Sequence, residues 1–359
     1  MNIKQLQRNV SLKDKNTLRL DVSAKYYAEI MSADELKQIF LNKDFSREKT
    51  LILGNGANIL FTKDYQGLIL KINIRGINVF YEDNDFVHIE IGAGENWASF
   101  VEYAVSRGWG GIENLAMVPG TAGAAPVQNI ACYGHNLHES LLSVDAIMFS
   151  TGERKTFSVE QCNFGYRTSI FKEELNGKCA IVNLKIKLRK KPLLNTSYKS
   201  RYESVESELA AIKSPPYYIQ DVYQAIVNIR RRKLPDINKV GTVGSVFKNP
   251  LITRDKLEMV RKTCPNIQYY PQKHLSYNTE TNNDYDKDEK VKIPAAWLIE
   301  EMGWAGKRIG NCGIWKTQPL NIVNYGNATP EEFLSAINIV KEAVYDRYLI
   351  MLETEVVTV

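Results

Sequence analysis

Apolar positions recur at helical spacing in a few stretches and in alternating or continuous runs in many more, which predicts a strand-rich chain with helices interspersed. Leu36, Ile39 and Phe40 share one helical face behind Ser32-Ala33-Asp34-Glu35, a sequence that reads as a capping box. Thr50-Leu51-Ile52-Leu53 is a short apolar strand running into Gly54-Asn55-Gly56-Ala57-Asn58. Further strands are predicted at 67–74, 87–91, 144–149 and 180–188, with a helix from Trp97 to Arg107. Asp221 is placed to cap a helix whose apolar face is Val222, Ile226 and Ile229 and whose end is Arg230-Arg231-Arg232-Lys233. Thr329-Pro330-Glu331-Glu332 combines a cap, a first-turn proline and a glutamate three residues after the cap, and Leu334, Ile337, Val340 and Val344 then line one face. A strand over 352–357 closes the chain. Strands and helices do not alternate strictly, so the expected class is α+β rather than a doubly wound parallel sheet.

At 359 residues the chain is too long for one ordinary core and implies two or three domains. Breaks are placed near Lys190-Lys191-Pro192 and at Ser214-Pro215-Pro216, and the polar, acidic stretch 275–290 reads as a surface loop. A formal charge of +5 is too mild for general nucleic-acid binding and suits a small polyanion such as a diphosphate. No apolar run reaches the length of a membrane span, and residues 1–16 lack the apolar core of a signal peptide, so a cytoplasmic location is expected. The 5 cysteines are scattered without a C-x-x-C pair, which argues against a disulfide framework and a zinc site. His135 and His138 have a spacing that holds metal on a helix, but they follow the turn-like Tyr133-Gly134, so loop histidines and no metal are expected.

Two glycine-rich turns each follow a short strand: 54–58, and Pro119-Gly120-Thr121-Ala122-Gly123-Ala124-Ala125-Pro126. Such turns let consecutive N–H groups face phosphate oxygens, or they simply join strands tightly. Neither matches the Rossmann or P-loop spacing. Gln128, Asn129 and Tyr133 offer donors and acceptors to a heterocycle edge, or cap their own loop. Arg167, among aromatic and apolar residues, suits bidentate carboxylate recognition, or snorkels at the surface. Ser245 lies in Gly244-Ser245-Val246-Phe247-Lys248-Asn249-Pro250, which is not a nucleophile elbow because Phe247 holds the last glycine position; a proton donor and a turn serine both fit. On a strand Glu353 and Glu355 share one face, as a functional pair or simply as solvated carboxylates.

Taken in order, these segments resemble one family, the UDP-N-acetylenolpyruvoylglucosamine reductases (MurB), in their longer, tyrosine-containing subtype. The carrying motifs are LILGNGANILF at 51–61, IGAGENW at 91–97, ENLAMVPGTAGAAPVQNIACYG at 113–134, FGYRTSIFK at 164–172, RRRKLPD at 230–236, GSVFKNP at 244–250, AAWLIE at 295–300 and LETEV at 352–356. The resemblance implies a two-part FAD-binding domain of the flavin oxidase (PCMH-type) fold, at 1–73 and 74–229. It further implies a separate α+β substrate domain at 230–347 and a closing strand at 348–359 that carries the catalytic glutamate. It implies non-covalent FAD and NADPH as co-substrate. The activity it implies is reduction of UDP-N-acetylenolpyruvoylglucosamine to UDP-N-acetylmuramate for peptidoglycan, by a monomer that engages neither nucleic acid nor membrane.

The resemblance also assigns roles. Ser245 protonates the substrate carbon, and Arg167 and Glu355 polarise the enolpyruvyl carboxylate. Gly54, Asn55, Gly56 and Asn58 sit at the FAD pyrophosphate, and Pro119, Gly120, Thr121, Gly123, Gln128, Asn129 and Tyr133 continue around the cofactor. Lys233, Asn249 and Gln318 bind the substrate diphosphate, and Tyr198 folds over the substrate. Ala57, Ala124, Ala125 and the Ala131-Cys132 pair depart from the family pattern, as does Trp315 at a usually polar position. The rivals are an FAD oxidase of the same flavin fold and an inactive flavin or UDP-sugar binding module; the first has no use for GSVFKNP or the terminal glutamate, and the second none for three catalytic residues.

Overall fold

The structure is a computed structural model that describes residues 6–42, 48–198, 204–271 and 290–359. Most of the predicted 275–290 loop lies outside the described residues. The chain divides into two compact units, one of residues 1–10, 23–56 and 65–232, the other of 11–22, 57–64 and 233–359. Each has its own apolar core.

The first unit holds two sheets. In the smaller, the strands run in the order Gln7–Ser11, Ser23–Ile30, Tyr65–Ile72, Thr50–Leu53, and both Ser23–Ile30 and Thr50–Leu53 lie parallel to Tyr65–Ile72. Tyr65–Ile72 is buried almost continuously, as expected of a strand with parallel neighbours on both sides. The helix Ala33–Phe40 follows Ser23–Ile30 and buries Leu36 and Ile39. Its capping differs from the predicted box: Ser32 Oγ accepts from Glu35 N, but the Glu35 carboxylate reaches past Ser32 to Met31 N at 2.7 Å.

The larger sheet is wholly antiparallel, in the order Arg154–Ser158, Leu141–Met148, Cys179–Arg189, Phe86–Gly92, Ile77–Glu82. The helices Trp97–Ser106 and Ile219–Lys233 give their apolar faces to the same core. The second begins two residues before Asp221. That carboxylate reaches back to Tyr218 N at 2.7 Å, so Asp221 caps from inside the first turn instead of preceding it.

The second unit contains a four-stranded antiparallel sheet, Gly241–Thr242, Ile322–Asn324, Cys312–Ile314, Arg308–Ile309. A three-stranded sheet places Lys290–Lys292 between Leu251–Thr253 and Tyr270–Pro271. The helix Pro330–Tyr348 starts on the full capping box from Thr329 and Glu332 and buries Phe333, Ala336, Ile337, Val340, Val344 and Tyr348, while Leu334 is half-buried. The closing strand is shorter than predicted. Thr354 forms an isolated bridge with Phe247, and regular pairing is confined to Val357–Thr358 against Ile59–Leu60, in parallel.

Leu18 and Leu20, brought in from the 11–22 segment, are fully buried in this second core. Each such burial stabilises by about 2 kcal/mol. Asn324 ties the segment down: its Nδ2 donates to Leu18 O at 2.9 Å, and its Oδ1 accepts from Gly326 N at 2.8 Å and Ala328 N at 3.2 Å. Asn324 is buried, so its removal leaves three backbone groups short of a partner. Asn324→Ala is expected to destabilise the second unit by about 2–3 kcal/mol, read as an earlier chemical-denaturation transition. A surface asparagine of the same unit, Asn238→Ala, is the control and is expected to move it by less than about 0.5 kcal/mol.

Candidate active site

In the first unit the two glycine-rich turns meet. A Cβ on Gly54 would stand 2.7 Å from Thr121 Oγ1, so residue 54 has to be glycine for the turns to touch. Gly56 and Gly120 have φ of 64° and 116°, a region that a side chain strains. The second turn is also laced to the Gly92–Asn96 segment. Ala122 N donates to Glu95 O and Gly123 N to Ala93 O, both at 2.8 Å, and a Cβ on Gly123 would collide with Ala93. The glycines of GAGENW therefore serve packing: a Cβ on Gly94 would meet the backbone of Asn73 and Ile74.

Beyond the second turn the chain is held in an unusual way. Asn129, Tyr133 and Arg167 all have left-handed φ, at 45°, 47° and 57°. Such conformations cost on the order of 1–3 kcal/mol each in a non-glycine residue and persist only where surroundings enforce them. Arg167 Nη2 donates to Ala131 O at 3.2 Å, and Lys172 Nζ to Arg167 O at 3.0 Å. The Asn129 amide is engaged by His138 and, through Nδ2, by Gly165 O at 3.4 Å. The Tyr133 ring packs edge-on against Tyr198, with centroids 5.1 Å apart. Asn114 Nδ2 fixes this contact from behind, donating to Tyr133 O at 2.7 Å and Asn195 O at 3.0 Å. Gln128 is half-buried, and Pro119 is exposed at the lip of the turn.

Cys132 donates its thiol to Asn114 O at 3.0 Å. Burial pushes this thiol up, with Arg230 and Arg167 pulling the other way, so it is held as the neutral form rather than as a nucleophilic thiolate. Both nitrogens of His135 have neighbours, Nδ1 lying 3.2 Å from Glu139 and Nε2 3.3 Å from Ser140 Oγ. Among the described residues no group of three or more His, Cys, Asp or Glu is arranged to hold a metal.

In the second unit the remaining predicted residues gather along one ladder. Glu355 N donates to Val246 O at 2.7 Å and Lys248 N to Glu353 O at 2.9 Å, which sets the Ser245 turn beside Glu355. Gly244, at φ 76°, makes that turn, and its N–H donates to Thr242 Oγ1 at 3.1 Å. Val246 N donates to Leu320 O at 2.8 Å, joining the ladder to the Gln318 loop, where Gln318 O accepts from Asn321 N at 2.9 Å. Thr317 Oγ1 donates to Lys233 O at 2.7 Å, which brings Lys233 to the same loop. Asn58, expected with the other residues of the first glycine turn, belongs to this unit, and its Nδ2 lies 3.4 Å from Glu355 O. Asn249 Oδ1 accepts from Ala295 N at 2.9 Å, at the start of the helix Ala295–Glu301. Asn55 is half-buried in the first unit.

Comparison with known proteins decides the family. Residues 24–158 match a family described as an FAD binding domain, and residues 236–359 match the UDP-N-acetylenolpyruvoylglucosamine reductase C-terminal domain. Over 98% of its length the chain is 38% identical to the UDP-N-acetylenolpyruvoylglucosamine reductase of Flavobacterium johnsoniae, spanning 99% of that protein. It is 39% identical to that of Amoebophilus asiaticus, over 98% of both chains. The chain belongs to the UDP-N-acetylenolpyruvoylglucosamine reductase family. The crystal structure of the MurB reductase from Thermus caldophilus shares the fold, with a TM-score of 0.66 at 19% identity over 99% of this chain and 98% of that one.

Membership in this reductase family makes the chain an FAD oxidoreductase, and its own residues fit the cofactor. The touching turns at 54–56 and 119–123 form a backbone cradle with positive-φ glycines. Arg230 adds a second sign. Its Nη2 donates to Met117 O at 3.1 Å, while its buried Nε has no acceptor among the described residues. A buried guanidinium N–H without a partner costs about 1–3 kcal/mol, so this donor suits an acceptor on a bound group. The sequence reading took only Lys233 from the RRRKLPD motif. Arg230 directly follows the buried Ile229 on the helix, and that spacing was the available signal.

The turn contact makes a two-step prediction. Gly54→Ala forces the new methyl onto the Thr121 hydroxyl and is expected to weaken FAD retention by about tenfold or more, equivalent to about 1.4 kcal/mol. Gly54→Ala/Thr121→Ala removes the obstructing atom and should recover part of that loss. Equilibrium dialysis of the flavin measures both, and a double variant no better than the single one would contradict the steric account.

Proposed function

We propose that this protein reduces UDP-N-acetylenolpyruvoylglucosamine to UDP-N-acetylmuramate with NADPH, through FAD, as a step of peptidoglycan precursor synthesis in the cytoplasm, and that it works as a monomer. The observation that carries the proposal is the ladder of the second unit. It ties the Ser245 turn to Glu355 at 2.7 Å through backbone alone and attaches the Gln318 and Lys233 segments to the same frame. An oxidase acting on an alcohol has no task for such a frame, whereas a vinyl-ether reduction needs a proton donor, a carboxylate and a diphosphate site.

FAD, when bound, supplies the hydride that passes from NADPH to the substrate's methylene carbon. As negative charge builds on the neighbouring carbon and its carboxylate, Arg167 offers a planar pair of N–H donors that matches a carboxylate bidentately. Its strained turn and its bond to Ala131 O hold the guanidinium in one orientation, which lowers the reorganisation needed when the charge appears. Glu355 shares in stabilising the enol-like species, and Ser245 delivers the proton to the carbon as that species collapses. Lys233, Asn249 and Gln318 receive the diphosphate, and Tyr198, packed on Tyr133, closes over the sugar nucleotide. Gly54, Asn55, Gly56, Asn58, Pro119, Gly120, Thr121, Gly123, Gln128, Asn129 and Tyr133 hold the cofactor.

An anaerobic two-step absorbance experiment tests this reading. NADPH should bleach the yellow holoenzyme, and the enolpyruvyl UDP-sugar should then restore the colour. Rapid reoxidation by oxygen with no response to the sugar would favour an oxidase. Ser245→Ala should leave the bleaching step nearly unchanged and slow the sugar-dependent step by roughly 10² to 10⁴. Equal losses in both steps would remove the proton-donor role. Arg167→Lys should also slow the sugar-dependent step, because a point charge does not replace a fork.

A further inference from the structure

The first unit contains a cavity of about 420 Å³ to which none of the roles above assigns a ligand. One wall is cationic. Lys187 and Arg189 project from the strand Cys179–Arg189 and stack on the Phe86 ring of the adjacent strand, at 3.8 and 5.1 Å from its centroid. Among the described residues neither cation is within ion-pair distance of a carboxylate. The lining also carries two carboxylates, and each already has a partner in the protein. Glu113 accepts from Gly111 N at 2.6 Å. Glu139 accepts from Asn136 N at 2.9 Å and Asn136 Nδ2 at 2.6 Å, and its second oxygen lies 3.2 Å from His135 Nδ1. A ligand therefore meets two cations that no described carboxylate pairs and two carboxylates that each already hold a donor. The charge that fits is negative, and the Phe86, Leu141 and Leu193 side chains leave room for an apolar body beside it.

The cavity also touches the clamp behind the tyrosine pair. Asn114 and Asn195 line it, and Asn114 Nδ2 bridges Tyr133 O and Asn195 O while Asn195 Nδ2 donates to Gly134 O at 3.0 Å. We infer that this cavity is an effector site for a small organic anion, a phosphate or carboxylate carrying a compact apolar group, and that its occupancy stiffens the Asn114–Asn195 clamp on which Tyr198 is mounted. The anion is held by charge-assisted bonds from Lys187 and Arg189. Coupling to Tyr198 runs through hydrogen bonds already present, so an occupant changes the stiffness of the 195–198 segment without displacing it.

Phenyl phosphate and inorganic phosphate are the two probes, titrated calorimetrically into the full-length holoenzyme. Phenyl phosphate should bind with a dissociation constant below about 1 mM, and inorganic phosphate about tenfold more weakly, since it lacks the apolar body. Lys187→Gln/Arg189→Gln should weaken phenyl phosphate by about tenfold or more. Leu193→Trp, placed at an exposed position on the rim, should block it in a protein whose unfolding transition is unchanged. Hydrogen exchange of a peptide covering 193–198 should slow when phenyl phosphate is bound. Absence of binding, binding indifferent to both variants, or unchanged exchange at 193–198 in the saturated protein would each overturn the proposal.

Discussion

Glu355 gives its amide hydrogen to the Val246 carbonyl, and Lys248 gives its own to Glu353. These two bonds join stretches of chain more than a hundred residues apart, and they set the Ser245 turn beside the Glu355 backbone through main-chain contacts, which are stiffer than side-chain ones. The ion pair between Lys248 and Glu353, at 3.2 Å, lies over the same rungs but is exposed on the glutamate side and adds about 0–1 kcal/mol at most. The juxtaposition of the two segments rests on the ladder and not on that pair.

The first unit solves a different problem. Its two glycine-rich turns pack against each other, and so close an approach is open to a residue without a Cβ. Gly54 lets two turns from different parts of the chain approach, and Gly120 lets one of them bend in the left-handed region. Around them Asn129, Tyr133 and Arg167 accept the same bend without being glycine, at a local cost that the surrounding hydrogen bonds offset.

Much of this was legible in the sequence, for identifiable reasons. The helix at Pro330–Tyr348 announced itself through a cap, a proline and a glutamate whose spacing leaves little alternative. The strand at Thr50–Leu53 and the helix at Trp97–Ser106 followed from apolar runs bounded by turn residues. Asp221 misled because an acidic residue satisfies a helix start equally well from the cap or from inside the first turn, and composition does not distinguish the two. The closing strand was overextended because Leu352–Val357 has a strand's alternation, yet only its last residues find a regular partner. Gly54 was recognisable as a turn residue, but that its missing side chain makes room for Thr121 is a long-range fact with no local trace. Arg230 was passed over because a guanidinium's burial depends on packing partners that no periodicity reveals.

The second unit draws Leu18, Leu20 and Leu60 into a core otherwise made of residues from 243 onward. Asn324 closes a loop of 306 positions when it bonds Leu18. As the ribosome extends the chain, those early leucines emerge long before the surfaces that will cover them, so the unit has no complete interior until residues 352–356 are made. Contacts so distant in sequence slow its folding. Until then the nascent chain carries greasy, unhoused segments, the state in which partly made proteins are prone to aggregate.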